Sequence, residues 1–548
     1  MVQFKDKKLP QAILKLRTKC QTSTVNLNVN VALIFLGCSI DLINVSSMIS
    51  LIDELSTKYS ISYTTASWSL TSYAVTFAGF IAFMGRLGDI VGNSRLFTVS
   101  CGCFAILSLL CGLMPNFEAF AVMRALQGIA AAGLVPCGYA LIPILSPKEQ
   151  VQKYFSIVSC GFSSTIGIGL IIGGAFAKTN VGYKGIFYLT FAAMTLICIM
   201  AFFFTCDVEK NEEKGLEVKE STATVASLDF IGSLIFITGS ILIVVGLTEG
   251  GESWREPKAY VTFAIGIVLF LGFFAWNCFY LKIVNGIRFI GIDTTKYFEK
   301  VQLLVPLNIL FMKQFIPIVL AFAMNNACLF SSIYIIDQYS QYKENDSPLM
   351  AGVKLVPLII SMIIGNFLCG IEKTRMRPKF GVTLGFFLAL SGSIILTQLR
   401  AVKYDVFWKI FFSAEVLVGF GVAIFYPYAL QLAVGRAPDE AKGIASGVAQ
   451  TFGQLGIEIA FSIMASVLGN IEEIRGRPDA SELFPRGFQR CSYFTVAVGA
   501  FGFLLTALCL VDLRHMTLDI GGDEVSVEVV NVSETRNSQT KEDDMSSF

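Results

Sequence analysis

The chain has 548 residues, of which 54% are apolar and only 15% are charged, and phenylalanine alone occurs 47 times. Because a soluble protein carries about 25% charged residues, this composition excludes an ordinary soluble enzyme and indicates a chain embedded in lipid. The formal net charge of +1 gives no basis for nucleic-acid binding. The single histidine, His515, follows the last apolar run, and no nucleophile–base pair, nucleotide loop or metal-ligand cluster is recognisable in the sequence. We therefore expect no catalytic residue, no metal and no cofactor.

About fourteen apolar runs follow one another along the chain, each close to the 20 residues that a helix needs to cross a bilayer. The predicted spans are 28–50, 65–84, 96–114, 118–145, 154–177, 185–205, 228–248, 258–281, 314–339, 349–371, 379–398, 405–433, 441–468 and 488–511. Lys and Arg are more frequent in the loops on the side of the N-terminus, which is typical of the cytoplasmic side. The even number of spans then places both termini in the cytoplasm.

Polar segments divide these spans into groups of six, two and six. We therefore predict an all-α membrane protein with two six-helix bundles and two extra helices in the linker between them. The predicted divisions are a basic cytoplasmic tail (1–27), an N-terminal bundle (28–206), a linker with two extra transmembrane helices (207–281), a cytoplasmic loop with an amphipathic segment (282–313), a C-terminal bundle (314–512) and a disordered cytoplasmic tail (513–548).

The first span contains Asp41 and Asn44 within a long apolar run. Residues three positions apart lie on the same face of a helix. An ionisable residue inside a membrane span is costly and marks a functional site by default. Asp41 is therefore a candidate functional group, and an alternative role is to neutralise an arginine elsewhere in the bundle.

A glycine-rich segment at 85–95, GRLGDIVGNSR, separates the second and third spans. A connection this short makes the flanking helices antiparallel. We expect Gly85 and Gly92 to allow a tight turn and close helix approach. We expect Asp89 to face a helix N-terminus or a nearby arginine and so to hold one state of a gate, with Arg95 on the same membrane face. The alternative is an ordinary polar turn.

The fourth span carries Arg124 and Gln127. A charged side chain at the centre of a bilayer costs about 2.5 kcal/mol or more, so Arg124 should face a cavity or a partner. The alternative is a structural arginine that donates hydrogen bonds to backbone carbonyls.

The fifth span contains Gly169, Gly173 and Gly174. Small residues allow membrane helices to approach closely. These glycines therefore predict a helix-packing face.

The second half has polar residues inside predicted spans as well. Asn326, Glu415, Gln454 and Glu458 are candidates for lining a substrate cavity, together with Asn44 and Gln127 from the first half. The alternative for each glutamate is a buried group that desolvation keeps neutral.

Together these segments resemble the major facilitator superfamily, and within it the branch of fourteen-span drug:proton antiporters. The matching residues are Gly85, Leu87, Asp89 and Gly92 in the loop signature, Arg124, Gln127 and Gly128 in the fourth-span signature, and Gly169, Gly173 and Gly174 in the fifth-span signature. The sequence departs from these patterns at Ile90, Asn93, Ser94 and Leu170. The form of the loop is similar to fungal members linked to aminotriazole and boron resistance and to ammonium movement.

The resemblance implies secondary active transport by alternating access, with proton-coupled export of small toxic or polar solutes. It implies that Asp41 and Arg124 couple transport to protons and that the segment around Asp89 acts as a gate. Two alternatives stay open: a facilitator for a small nutrient such as ammonium, and a transporter-like sensor. The expected partners are the solute, protons and the lipid bilayer. We expect a monomer in the plasma membrane, with the vacuolar membrane as the alternative.

Overall fold

The structure is a computed structural model that describes residues 26–61, 63–147, 149–205, 228–289, 303–305, 312, 314–346, 348–371, 376–402, 405–438, 441–468 and 480–510. The predicted basic N-terminal tail, the polar first part of the linker, most of the amphipathic segment and the C-terminal tail lie outside the described residues.

The described chain folds into sixteen α-helices. In the first half they are α1 (Asn26–Ile49), α2 (Ile52–Tyr59), α3 (Tyr63–Val91), α4 (Asn93–Leu113), α5 (Phe117–Leu145), α6 (Val151–Ala177) and α7 (Lys184–Phe204). The linker contributes α8 (Phe230–Glu252) and α9 (Pro257–Phe289). The second half contains α10 (Phe315–Tyr342), α11 (Pro348–Lys354), α12 (Val356–Gly370), α13 (Pro378–Leu396), α14 (Phe412–Ala433), α15 (Lys442–Leu468) and α16 (Ala480–Cys509).

Helices occupy each predicted span, that at 349–371 being divided between α11 and α12, and the all-α membrane fold expected from the sequence is confirmed. Thirteen helices among the described residues are long and apolar enough to cross a membrane. The fifth predicted span is occupied by α6, which contains a shorter apolar stretch, Gly167–Ala177. A π-helical turn, Phe407–Phe411, directly precedes α14.

Helix packing produces two groups of six. In the first group α1 packs on α6 and α7, α3 packs on α5, and α4 packs on α5 and α7. In the second group α10 packs on α15 and α16, and α14 packs on α12 and α13. The two groups meet mainly along two helix pairs, α3 with α15 and α6 with α12, and α5 with α15 and α6 with α14 add smaller contacts. The linker helices α8 and α9 pack on each other, and α8 also lies against α3 and α15.

The polar turn predicted at 85–95 is wrong in extent, because helix α3 continues to Val91 and α4 begins at Asn93. Only Gly92, with φ of 108°, adopts a conformation that favours glycine. Gly85 has a different function. A Cβ atom on Gly85 would lie 2.3 Å from the carbonyl oxygen of Gly443. This glycine therefore permits contact between helices, and the helical hydrogen bonds continue through it.

A carboxylate cap fixes the start of the linker helices. Asp229 precedes α8, and its Oδ1 accepts a hydrogen bond from the backbone N–H of Gly232 at 2.8 Å. Its Oδ2 accepts a second bond, at 3.1 Å, from the indole N–H of Trp276 on α9. The cap thus satisfies one of the unpaired N–H groups of the first turn and joins α8 to α9.

The short helix α2 lies at the opposite end of the first bundle from Gly92. The Glu54 carboxylate on α2 accepts a hydrogen bond from the backbone N–H of Tyr183 at 2.9 Å. The hydroxyl groups of Tyr59 and Tyr183 are 2.8 Å apart and share a hydrogen bond. These contacts attach α2 to the segment that leads into α7.

Candidate transport site and gate

Arg124 is fully buried in the middle of the first bundle. Its Nε donates to the backbone oxygen of Ser69 on α3 at 2.9 Å. Its Nη1 donates to Asn44 Oδ1 on α1 at 2.8 Å and to Gln127 Oε1 at 2.6 Å. A buried cation is tolerated only when it is well solvated by such groups. The bond to the Ser69 carbonyl is of the kind that the structural alternative predicted, and the bonds to Asn44 and Gln127 go to side chains.

The partners of Arg124 are themselves held by further helices. The Gln127 Nε2 donates to Ser108 Oγ on α4 at 2.7 Å, and the Asn44 Nδ2 donates to Thr190 Oγ1 on α7 at 3.2 Å. One continuous network therefore joins α1, α3, α4, α5 and α7. The structure places Asn44 and Gln127, both expected to line a cavity, inside this network, where they orient the guanidinium.

Asp41 reaches Arg124 through an aromatic side chain. The Tyr73 hydroxyl on α3 donates a short hydrogen bond to Asp41 Oδ1. The guanidinium carbon of Arg124 lies 4.6 Å from the centre of the Tyr73 ring, a cation–π distance. All three side chains are buried, and the Arg124 Nη2 has no hydrogen-bond partner among the described residues. Tyr73 was missed from the sequence, where an aromatic residue in an apolar run carries no functional signal.

Asp89 lies at the meeting point of the two bundles. Its Oδ1 accepts from the backbone N–H of Gly443 at 2.7 Å, and its Oδ2 accepts from that of Ile444 at 2.8 Å. Both amides belong to the first turn of α15, where N–H groups lack intrahelical partners and the helix dipole favours negative charge. The sequence predicted either a helix N-terminus or a nearby arginine as the partner of Asp89. The structure shows hydrogen bonds to the helix N-terminus. Arg95, also predicted for this region, is exposed on α4.

The backbones of α3 and α15 touch around this contact. Besides the approach of Gly85 to Gly443, a Cβ atom on Gly447 would lie 2.8 Å from the Cα of Ala82. Only glycine at these positions permits such contact. The two bundles are therefore closed against each other at the end of α3 where Asp89 lies.

The glycines of α6 divide into two classes. A Cβ atom on Gly169 would lie 1.8 Å from Ser46 Oγ, and one on Gly173 would lie 2.4 Å from the backbone oxygen of Ser47, both on α1. A Cβ atom on Gly174 meets no described atom within 4 Å. The expected packing face therefore does not extend to Gly174, because that residue is turned about 100° around the helix from its neighbour.

The second bundle presents a polar stripe on α15. Gln450, Gln454 and Glu458 are four positions apart, so they share a helix face, and each is partly exposed. The Gln454 Nε2 donates to Glu458 Oε1 at 3.3 Å. Asn326 on α10 adjoins the stripe, since a Cβ atom on Gly453 would lie 2.6 Å from its Nδ2. Three of the four predicted second-half residues are thus neighbours.

Glu415, the fourth, is separate from this stripe. It is 0% exposed and lies on the face of α14 that packs on α12. Across the described residues, no cluster of three His, Cys, Asp or Glu side chains has the arrangement of a metal site.

Membrane-spanning helices in two bundles that meet along two helix pairs define a multi-pass membrane transporter. Residues 33–461 match the family model described as Major Facilitator Superfamily, and the chain belongs to that family. The resemblance drawn from the sequence is thereby confirmed.

Relatives of this chain include transporters and resistance proteins. It is 24% identical over 385 residues to the MFS-type transporter FPY5 of Fusarium mangiferae, an alignment that covers 69% of this chain and 61% of FPY5. It is 24% identical over 408 residues to the puromycin resistance protein pur8 of Streptomyces alboniger, covering 74% of each chain. The crystal structure of the human organic anion transporter MFSD10 superposes with a TM-score of 0.58 at 14% identity, covering 88% of this chain and 99% of that one. The protein is therefore an integral, multi-pass membrane protein of this family.

Proposed function

We propose that the protein exports small toxic or polar solutes in exchange for protons, by alternating access between its two bundles. Relatives named as an efflux pump and as a resistance and export protein support export. The observation that carries proton coupling is the buried arrangement of Asp41, Tyr73 and Arg124.

A proton on Asp41 changes the electrostatics of this arrangement. When ionised, the carboxylate accepts from Tyr73 and compensates the charge of Arg124 across the aromatic ring. When protonated, it no longer carries the negative charge that compensates the buried guanidinium, whose Nη2 already lacks a hydrogen-bond partner among the described residues. An uncompensated buried charge is strongly destabilising. Protonation therefore favours a rearrangement of the helices that carry these groups, α1, α3 and α5.

Solute binding is assigned to the stripe on α15. Gln454 and Glu458 offer donors and acceptors that are partly accessible, and the buried Asn326 adjoins them, whereas the side chains around Arg124 are fully buried. The Tyr426 hydroxyl on α14 donates to Gln450 Oε1 at 3.2 Å and fixes the end of this stripe. Small polar solutes would exchange hydrogen bonds with these groups.

The contact of Asp89 with α15 acts as the gate. It holds the bundles together at one end, and opening that end requires both hydrogen bonds to break. We place this end, and both termini, at the cytoplasmic side of the plasma membrane, with the vacuolar membrane as the alternative. Both bundles belong to one chain, so we propose a monomeric transporter.

Export is tested in proteoliposomes with an imposed pH gradient. The probes are puromycin, boric acid, aminotriazole and radiolabelled methylammonium. Wild type should move at least one of them against its gradient. Asp41→Asn and Arg124→Ala should abolish this, and Tyr73→Phe, which keeps the ring over Arg124, should weaken it.

Two results would contradict the proposal. If Asp41→Asn and Arg124→Ala both kept full gradient-driven transport, the coupling site would be misassigned. If wild-type transport continued unchanged after collapse of the pH gradient, the protein would be a facilitator. Gly174→Ala is the matched control, because the added methyl group meets no described atom.

A further inference from the structure

Glu415 occupies an unusual position near the start of α14. Its side chain is 0% exposed. Neither carboxylate oxygen has a side-chain partner or a hydrogen bond of good geometry among the described residues. The one polar group in the described part of the chain that faces the carboxylate is the backbone N–H of Leu358, in the first turn of α12. Partnerless buried carboxylates are rare, because buried polar groups are normally paired.

The neighbouring helix α12 leaves no room for solvent beside this carboxyl group. The Ser361 hydroxyl donates to the backbone oxygen of Leu358 at 2.7 Å, so it is already engaged. A Cβ atom on Gly419, one turn after Glu415, would lie 1.9 Å from Ser361 Oγ. Beyond this contact the helices are joined by an apolar cluster, which contains Leu329, Leu358, Met362, Val418, Val422 and Ala423.

The charged groups on the surrounding elements do not pair with Glu415. They are Asp337 on α10, Lys379 at the start of α13, Lys153 at the start of α6, Lys442 and Glu458 on α15, and Asp405 with Lys409 before α14. The last two form an exposed pair at 3.9 Å. On α12 the ionisable side chain is the buried thiol of Cys369.

An ionised carboxylate in such surroundings costs several kcal/mol even after relaxation. Because no cation among the described residues offsets that cost, and the Leu358 N–H offsets it only in part, the group is expected to hold a proton. Glu415 and Glu458 differ in exposure. Glu415 is fully buried, whereas Glu458 is partly exposed on the polar stripe of α15. Glu415 therefore suits the binding of a proton better than the binding of a solute.

The π turn at Phe407–Phe411 offers a way to release this proton. π turns contain one residue more than the α register and occur often at functional sites. A shift of one residue between the two registers rotates the adjoining helix by about 100° and translates it by about 1.5 Å. Such a shift would move Glu415 relative to α12.

We propose that Glu415 is a second proton-binding site, which holds its proton while α12 and α14 are packed together and exchanges it when they separate. The proposal rests on the proton-coupled function above and extends it to the second bundle. Asp41 and Glu415 would then give each bundle one proton-binding carboxyl group.

Infrared spectroscopy of the purified full-length protein in detergent at neutral pH tests this directly. Wild type should show the C=O stretch of a protonated carboxyl group, and Glu415→Gln should lose that band. Ser361→Ala, at the same helix contact, should keep it. On transfer to D2O the wild-type band should shift, because a site that releases its proton exchanges it.

Either of two results would overturn the proposal: a wild-type spectrum that Glu415→Gln leaves unchanged, or a band that never exchanges in D2O, as expected of a permanently occluded acid. If Glu415→Gln does not fold, Glu415→Asp replaces it; the band should then move, and an unmoved band refutes the assignment. The measurement uses no solute and no pH gradient, so failure of the proposed export does not affect it. Asp41→Asn measured in the same way tests the first site independently.

Discussion

The contact of Asp89 with the first turn of α15 can be weakened by the substitution Asp89→Asn, which replaces one carboxylate oxygen with an NH2 group. In Asp89→Asn, one side-chain oxygen still accepts from Gly443 or Ile444. The amide NH2 group then faces the other backbone N–H, so one of the two bonds is lost. The negative charge that interacts with the helix dipole is lost as well.

The magnitude follows from these two losses. A hydrogen bond to a charged group contributes about 1.5–3 kcal/mol, and the charge–dipole interaction contributes about 0.3–1 kcal/mol. The variant should therefore favour separation of α3 and α15 by about 2–4 kcal/mol relative to wild type. At about 1.4 kcal/mol per tenfold change, the ratio of open to closed molecules rises by roughly 30-fold to 700-fold.

Hydrogen–deuterium exchange of the Gly443 and Ile444 amides measures this change. Both amides should exchange faster in Asp89→Asn, because their acceptor is weakened. The start of α5 is the internal control, since the Ala119 N–H is capped locally by Asn116 at 3.3 Å. Unchanged exchange at α15 would refute the gate, and equal acceleration at α5 would indicate general destabilisation instead.

Three further predictions concern packing, capping and pH. Gly85→Ala should separate α3 from α15, at an overpacking cost of about 1–3 kcal/mol, and speed exchange at the start of α15, whereas Gly174→Ala should not. Asp229→Ala should remove the α8 cap and cost about 1 kcal/mol in thermal unfolding, whereas Asp229→Asn, which keeps an acceptor, should cost less. Burial raises the pKa of Glu54, so the folded state binds this proton more tightly than the unfolded state. Wild type should therefore gain melting temperature relative to Glu54→Gln as pH falls from neutral to mildly acidic; a difference independent of pH would contradict this.

The long helices were predictable because lipid imposes a simple rule. About 20 apolar residues must form one helix whose backbone satisfies its own hydrogen bonds. Buried charges within those runs were equally visible, since residues such as Asp41 and Arg124 are too costly to place in a span without a purpose. Length and charge alone thus located the bundles and the ionisable groups.

The partners of those groups were not predictable from the sequence. Gly443 lies 354 positions beyond Asp89, and its contribution is a backbone N–H that every residue except proline carries. Tyr73 connects Asp41 to Arg124 only because three helices meet there. The extent of α3 was misjudged for a similar reason. Gly85 suggested a turn, whereas it permits contact with α15, which no local sequence pattern reveals.

The structure places both ends of the proposed coupling on one helix. Tyr73, which donates to Asp41, and Asp89, which binds α15, are sixteen positions apart on α3. That spacing corresponds to about 24 Å along the helix axis. A helix of this length moves nearly as a rigid body, so in the proposed mechanism a displacement of Tyr73 on protonation of Asp41 would be transmitted to the Asp89 contact. α3 would then connect a buried charge change within the first bundle to the contact that holds the two bundles together, without a separate relay of side chains.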